Sequence, residues 1–80
     1  EPDDLLLAGI ITKLFADRQI QVEPHVVQYL VRRIERSLAT AMRVVQRLDR
    51  LALERKMPIT RALAAETVSA LDEGQGEFDI

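Results

Sequence analysis

The longest helical pattern in this chain of 80 residues runs from Ser37 to Lys56, and it constrains the fold more than any other stretch. Apolar residues recur in it at steps of three and four, which places them on one side of an α-helix. These residues are Leu38, Ala41, Met42, Val45, Leu48 and Ala52. Because a helix of this kind must bury its apolar side, we expect the other segments to pack around it.

A second side of the same stretch is mostly basic, and its residues recur at similar steps. They are Arg36, Thr40, Arg43, Arg47, Arg50 and Glu54. Guanidinium groups carry a permanent charge and a fork of donors that matches phosphate, so arginines on a rigid helix can contact phosphate groups. The simpler interpretation is a solvated face on which Arg50 and Glu54 form an i, i+4 ion pair. Spacing alone favours that simpler interpretation.

Two further helices precede this stretch, and proline marks the beginning of each one. The first is predicted from about Pro2 to Asp17 and the second from about Pro24 to Arg33. Residues 18–22 alternate Ile20 and Val22 but are too short to form a sheet alone. We therefore predict an extended connector that inserts these two side chains into the core.

A fourth helix is predicted after Pro58, with Thr60 as its cap and an end near Leu71 or Asp72. The buried stripes expected for the other helices are Leu7, Ile10, Ile11, Leu14 and Phe15; Val27, Leu30, Val31 and Ile34; and Leu63, Ala64, Thr67, Val68 and Leu71. The predicted fold class is all-α, a small four-helix bundle over residues 1–72. Residues 73–80 have no helical period and are expected to be a flexible acidic tail.

Composition limits the classes of function. Apolar residues make up 48% of the chain and charged residues 30%, which is typical of a small globular domain. There is no cysteine and only one histidine, so no thiolate or histidine metal site is predicted. The acidic start and the short apolar runs resemble neither a signal peptide nor a membrane span, and we expect a cytoplasmic location. Because Glu1 stands where a methionine would begin a protein, we expect a piece of a longer chain.

Catalytic motifs are missing from the sequence. It contains no GxxxxGK[ST] loop, no GxGxxG, no GxSxG and no HExxH, and its carboxylates are spread over helix starts and polar faces. The chain alone is therefore not expected to be an enzyme. His25 is interpreted as a solvent-facing residue and Tyr29 as a half-buried one, while Arg32 and Arg33 suit the carbonyl end of the second helix.

The order of these segments resembles the lid subdomain of the DnaA/Hda group of AAA+ ATPases. The resemblance begins with PDDLLLAGIITKLFADRQIQVEPHVVQYLVRRI and continues through RSLATAMRVVQRLDRLALERKMPIT. It covers about residues 2–71 and is closest to the Hda-type regulators of DnaA, through the pattern ERS…RLD…LAL. Each motif is weak alone, and their order and spacing make the match more specific.

This resemblance implies an all-α lid that closes over a nucleotide held by a separate P-loop subdomain. In the family, the third lid helix carries the sensor 2 arginine, which reaches the nucleotide phosphates. Arg43 is the nearest match but requires a one-residue shift against DnaA, whereas Arg36 matches an arginine at the helix start on a similar face. We expect Arg43 slightly more than Arg36 to be this phosphate contact.

The resemblance also implies a cofactor and partners. Hda-type proteins with bound ADP, together with the sliding clamp on DNA, stimulate ATP hydrolysis by the DnaA initiator and so prevent repeated initiation of replication. The nucleotide, ADP or ATP with Mg²⁺, would bind the parent protein and not this segment alone. The parent is expected to have little or no ATPase activity of its own. The clamp contact would lie in a region that this sequence does not include.

Two other functions fit the residues. A helix-turn-helix over Pro24 to Lys56 would direct Arg43, Arg47 and Arg50 at DNA, but the net charge of −2 argues against it, and direct DNA binding is not expected. A helical interaction domain without nucleotide or DNA is the other alternative.

Overall fold

The computed structural model describes the backbone of residues 2–78 and the side chains of residues 2–71, and it contains four α-helices. They are α1 (Asp4–Asp17), α2 (Pro24–Arg33), α3 (Leu38–Arg55) and α4 (Arg61–Phe78). The described residues include no strand, so the predicted all-α class is confirmed. None of the described helices combines the length and the apolarity needed to cross a bilayer.

Short polar side chains fix where three of the helices begin. Asp3, Ser37 and Thr60 each accept a hydrogen bond from the backbone N–H three residues further on, at 2.8, 3.1 and 3.2 Å. These bonds satisfy amides that the first helical turn leaves without a partner. The predicted cap Thr60 is confirmed, Ser37 caps α3, and α2 begins at Pro24 as predicted.

The last helix is longer than predicted. It continues to Phe78, past the expected end near Leu71. Residues 72–78 contain no proline, and their glutamate and glutamine residues favour helix, so the backbone ladder can continue despite two glycines. The side chains of this segment lie outside the described residues. The division into a lid over residues 1–72 and a flexible tail over residues 73–80 stays a prediction.

The four helices pack in a closed ring. α1 contacts α2 and α3, and α4 contacts the same two helices from the other side. Within the described residues, the backbones of α2 and α3 do not approach each other closely, so these two helices lie diagonally opposite in the ring. Two ion pairs, each with a 2.6 Å contact, join α1 to this part of the chain: Asp4 in the first turn of α1 pairs with Arg36 just before α3, and Arg18 just after α1 pairs with Asp49 within α3. These two helices therefore run parallel.

The core lies at the centre of this ring and contains residues from every helix. Its buried apolar members are Leu7, Ile11, Phe15, Val26, Val27, Leu30, Val31, Ala41, Val44, Val45, Leu48, Ile59, Leu63 and Ala64. Ile20 and Val22 of the connector pack against it from the side, as predicted.

The stripe predicted for α3 was wrong at two positions. Leu38 is 55% exposed and Met42 is 43% exposed, whereas Val44, which the stripe omitted, is fully buried. The buried face is centred on Ala41, Val44, Val45 and Leu48 because α1 and α4 cover that side of the helix. At 100° per residue, Leu38 and Met42 lie toward the edge of the covered arc.

Candidate phosphate-contact site

Arg36, the first of the two predicted phosphate contacts, does not lie on α3. It precedes the cap Ser37, and its Nη2 is 2.6 Å from the Oδ1 of Asp4. The expectation that it shares a helical face with Arg43 was therefore wrong. A residue outside the helix does not follow the 100° spacing of helical side chains, so spacing does not assign it to a helical face. In this structure Arg36 joins the beginning of α1 to the loop before α3.

Arg43, the second candidate, projects from the second turn of α3 and is exposed. It lines a small cleft of about 90 Å³ where the end of α2 meets α3 and α4. The other residues of the cleft are Arg33, Ile34, Glu35, Thr40, Val68 and Leu71. The structure thus places Arg43 beside Arg33 and away from Arg36.

The cleft has both basic and acidic residues in its wall. Arg33, Glu35 and Arg43 all line it, but the guanidinium carbon of Arg33 lies 3.9 Å from the centre of the Tyr29 ring. Thr40 Oγ1 donates to Glu35 Oε1 at 3.4 Å, a weak bond that belongs to the cap of α3. Among the side chains of residues 2–71, no carboxylate comes within 4.0 Å of Arg43. The donors of Arg43 can therefore meet a phosphate group without first breaking an ion pair in this part of the chain.

The rest of the basic side of α3 is a solvated surface. Arg47, Arg50 and Glu54 are all exposed. The predicted ion pair between Arg50 and Glu54 does not form within 4.0 Å, and Asp49 pairs instead with Arg18 of α1. Among the described residues, Arg47 lines neither the cleft beside Arg43 nor the groove that contains Arg50 and Glu54.

Sequence reasoning missed a second basic feature, which surrounds Tyr29. The guanidinium carbon of Arg33 lies 3.9 Å from the centre of the Tyr29 ring, and that of Arg61 lies 5.1 Å from it. Such cation–π contacts contribute about 0.5–1 kcal/mol each at exposed sites. The i, i+4 spacing of Tyr29 and Arg33 was a visible signal. Arg61 gave none, because it comes from the beginning of α4 and reaches Tyr29 only through the packing of α4 on α2.

A larger cavity than this cleft lies elsewhere and is mainly apolar. It measures about 570 Å³ and lies between the end of α1, the connector and the loop before α4. Phe15, Ile20, Val22 and Ile59 form much of its wall, and Glu23 is its only charged residue among those described. Its described wall offers no positively charged group to a phosphate, so its size does not make it the candidate site.

A helix-turn-helix is not formed by residues 24–56. That motif requires its two helices to pack against each other across a short turn. Here α2 and α3 are joined by a short loop but lie diagonally across the ring, separated by α1 and α4. This arrangement does not support α3 as a recognition helix that directs Arg43, Arg47 and Arg50 at DNA.

Comparison with known proteins gives one result that bears on this site. The family model described as "Hda, lid domain" matches residues 10–67, which include α2, α3 and both candidate arginines. No curated protein and no solved structure matches the chain. The matched segment covers well over half of the 80 residues.

Proposed function

This chain belongs to the family of Hda lid domains, and we propose that it is the lid subdomain of an Hda-like AAA+ protein that regulates the initiation of DNA replication. In this proposal, the lid closes over ADP or ATP that a separate P-loop subdomain holds with Mg²⁺. The parent protein then promotes hydrolysis of ATP by the DnaA initiator, and it contacts the sliding clamp through a region outside this sequence. The family match is the observation that carries the proposal.

Arg43 is proposed as the residue through which the lid meets the nucleotide phosphates. It is exposed, it lies on a helix that is capped at both ends, and it lines a small cleft at the end of α2. Arg36 is less suited to this contact because Asp4 holds it. A permanently charged fork on a rigid helix requires little reordering to bind phosphate, so closure of the lid can depend on the bound nucleotide.

In this proposal the lid supplies binding, and the chemistry belongs to the P-loop subdomain. The motifs expected of a catalytic site are missing from the sequence of the lid. The proposal therefore assigns to the P-loop subdomain whatever weak ATPase activity the parent protein has. The lid would couple the bound nucleotide to the surface that DnaA meets.

The test is an ADP titration of the protein that joins this lid to its P-loop subdomain. We expect Arg43→Ala to weaken ADP binding about tenfold or more, because a hydrogen bond between charged groups contributes about 1.5–3 kcal/mol. Arg47→Ala is the matched control, since it removes the same charge from the same helix but lies outside the cleft. The control should bind ADP as the unsubstituted protein does.

The same variants should be compared in stimulation of DnaA ATP hydrolysis. Arg43→Ala should lose stimulation at ADP concentrations that saturate the unsubstituted protein, and Arg47→Ala should retain it. If Arg43→Ala binds ADP and stimulates DnaA normally, the assignment of Arg43 is wrong. If the unsubstituted protein neither binds a nucleotide nor affects DnaA, the proposed function itself is wrong.

A further inference from the structure

A groove around Tyr29 concentrates positive charge on the face formed by α2 and the beginning of α4. It measures about 230 Å³ and is lined by His25, Gln28, Tyr29, Arg32, Arg33 and Arg61. We call this set of residues the Tyr29 groove. All but Tyr29 are exposed, so the charges are accessible from solvent.

The arginines of the Tyr29 groove differ from three other arginines of the molecule, which are held by carboxylates. Arg18, Arg36 and Arg55 each form an ion pair with a contact of 2.6 Å. Among the side chains of residues 2–71, none of the three groove arginines has a carboxylate within 4.0 Å, and no acidic residue lines the groove. Three like charges have thus been brought together without a counter-charge in the described part of the chain.

The ring of Tyr29 explains how these charges are held in place. Arg33 and Arg61 both lie over it, and the negative face of an aromatic ring attracts guanidinium groups. Their planar forks are therefore positioned before any partner arrives. Positioned guanidinium groups without a carboxylate partner are suited to phosphate oxygens, which they can bind in a bidentate manner.

The groove lacks the features of a protein-binding surface. Protein interfaces depend on apolar or aromatic anchors that enter the partner. The large exposed apolar residues of the described chain, Leu5, Leu6, Leu38, Met42 and Leu53, all lie on α1 and α3 and not in the groove. Its one aromatic ring is already covered by guanidinium groups. Binding to a phosphate backbone requires no apolar anchor, because release of counterions supplies the affinity.

The length of the groove indicates a repeating anion. His25 and Arg33 are eight residues apart on α2, which at 1.5 Å per residue is about 12 Å. One strand of duplex DNA carries a phosphate about every 3.4 Å along the helix axis, and its neighbouring phosphates are roughly twice as far apart because the strand also winds around that axis, so this length spans about two phosphates. The net charge of −2 for the whole chain does not prevent such contact, because screening confines the field to about 10 Å at moderate salt.

We propose that the Tyr29 groove binds the phosphate backbone of duplex DNA without reading the base sequence. The sequence alone predicted no direct DNA binding, on the strength of the net charge. The proposal concerns a face different from the arginine side of α3 and does not depend on the function proposed for Arg43. Arg33 lines both the groove and the cleft beside Arg43, so the test uses the two other arginines.

The experiment measures fluorescence anisotropy of a short labelled DNA duplex of arbitrary sequence, titrated with the 80-residue chain over a range of salt concentrations. Arg32→Ala/Arg61→Ala should weaken binding about tenfold at low salt and reduce the slope of log K against log salt by about two. Arg47→Ala/Arg50→Ala removes the same charge from α3 and should change the affinity less than about threefold. Arg32→Lys/Arg61→Lys should retain most of the binding, because lysine also contacts phosphate.

Three results would overturn the proposal. Equal weakening by the two alanine pairs would mean that net charge alone decides the affinity. Greater weakening by the α3 pair would place the DNA on α3. Equal competition by polyglutamate, compared at the same charge concentration, would mean that the groove accepts acidic chains generally. Circular dichroism of each variant shows whether it is folded, so a loss of binding is not mistaken for unfolding.

Discussion

The two arginines that the sequence offered as phosphate contacts lie in different surroundings. Arg36, in the loop before α3, is held by Asp4 across the α1–α3 pair. Arg43, two turns further along, lines an open cleft beside Arg33. One arginine contributes to the packing of two helices, and the other is available to a ligand. The difference shows that the identity of a residue and its spacing do not reveal its role until its neighbours in space are known.

The two arginines keep these surroundings only while the helices stay packed. The largest expected effect is therefore the loss of stability that follows from shortening a core side chain. Leu48 is fully buried at the centre of α3, on the side opposite the basic residues. Leu48→Ala should lower the free energy of unfolding by about 2–5 kcal/mol, because it removes buried methylene groups and leaves a cavity. In a domain of this size that loss is most of the net stability. Urea denaturation measures it, and a loss below about 1 kcal/mol would contradict the packing of α3.

A smaller effect is expected at Thr67 of α4. Its side chain is fully buried, and its Oγ1 has no hydrogen-bond partner among the described residues. Thr67→Val keeps the shape and removes the unsatisfied hydroxyl, so it should raise the free energy of unfolding by up to about 1 kcal/mol. Thr12→Val is the matched control. Thr12 is exposed, and its Oγ1 donates to the carbonyl of Ala8 at 2.8 Å. Clear destabilisation by Thr67→Val would mean that the hydroxyl has a partner.

The smallest effects concern the two ion pairs that join α1 and α3. Arg18–Asp49 has side chains 37% and 23% exposed, and Asp4–Arg36 has side chains 45% and 58% exposed. Double-mutant cycles should give a coupling energy near 1 kcal/mol for the first pair and a few tenths for the second, because solvent screens exposed charges. Both couplings should decrease as salt is raised. A larger coupling for Asp4–Arg36 would reverse this order and show that the loop before α3 is more rigid than its exposure indicates.

The sequence was sufficient to predict the helices but not the contacts between them. Helix α2 was predicted to its exact bounds because Pro24 marks its beginning and its apolar stripe is regular. Helix α3 was predicted almost as well, since Ser37 caps it and Pro58 follows it. Periodicity identifies a face only to within about one residue, however, so Leu38 and Met42 were placed in the core and Val44 was not.

The site was harder to predict because its residues come together only through packing. The contact of Arg61 with Tyr29 joins α4 to α2, which are distant in the sequence, and the cleft beside Arg43 forms only where the end of α2 meets α3 and α4. The pair Asp4–Arg36 likewise spans two helices, and nothing in the spacing of α3 distinguishes a paired arginine from an available one. The helix-turn-helix alternative also depended on packing, because it required α2 and α3 to pack closely against each other, which they do not do in this ring.

One measurement tests the contrast between the two arginines most directly. Arg36→Ala and Arg43→Ala, in the protein that carries this lid with its P-loop subdomain, should be compared in both thermal unfolding and ADP affinity. We predict that Arg36→Ala lowers the unfolding temperature slightly and leaves ADP affinity unchanged, whereas Arg43→Ala weakens ADP binding about tenfold and leaves the unfolding temperature of the nucleotide-free protein unchanged. Loss of ADP affinity in Arg36→Ala with normal affinity in Arg43→Ala would contradict the account.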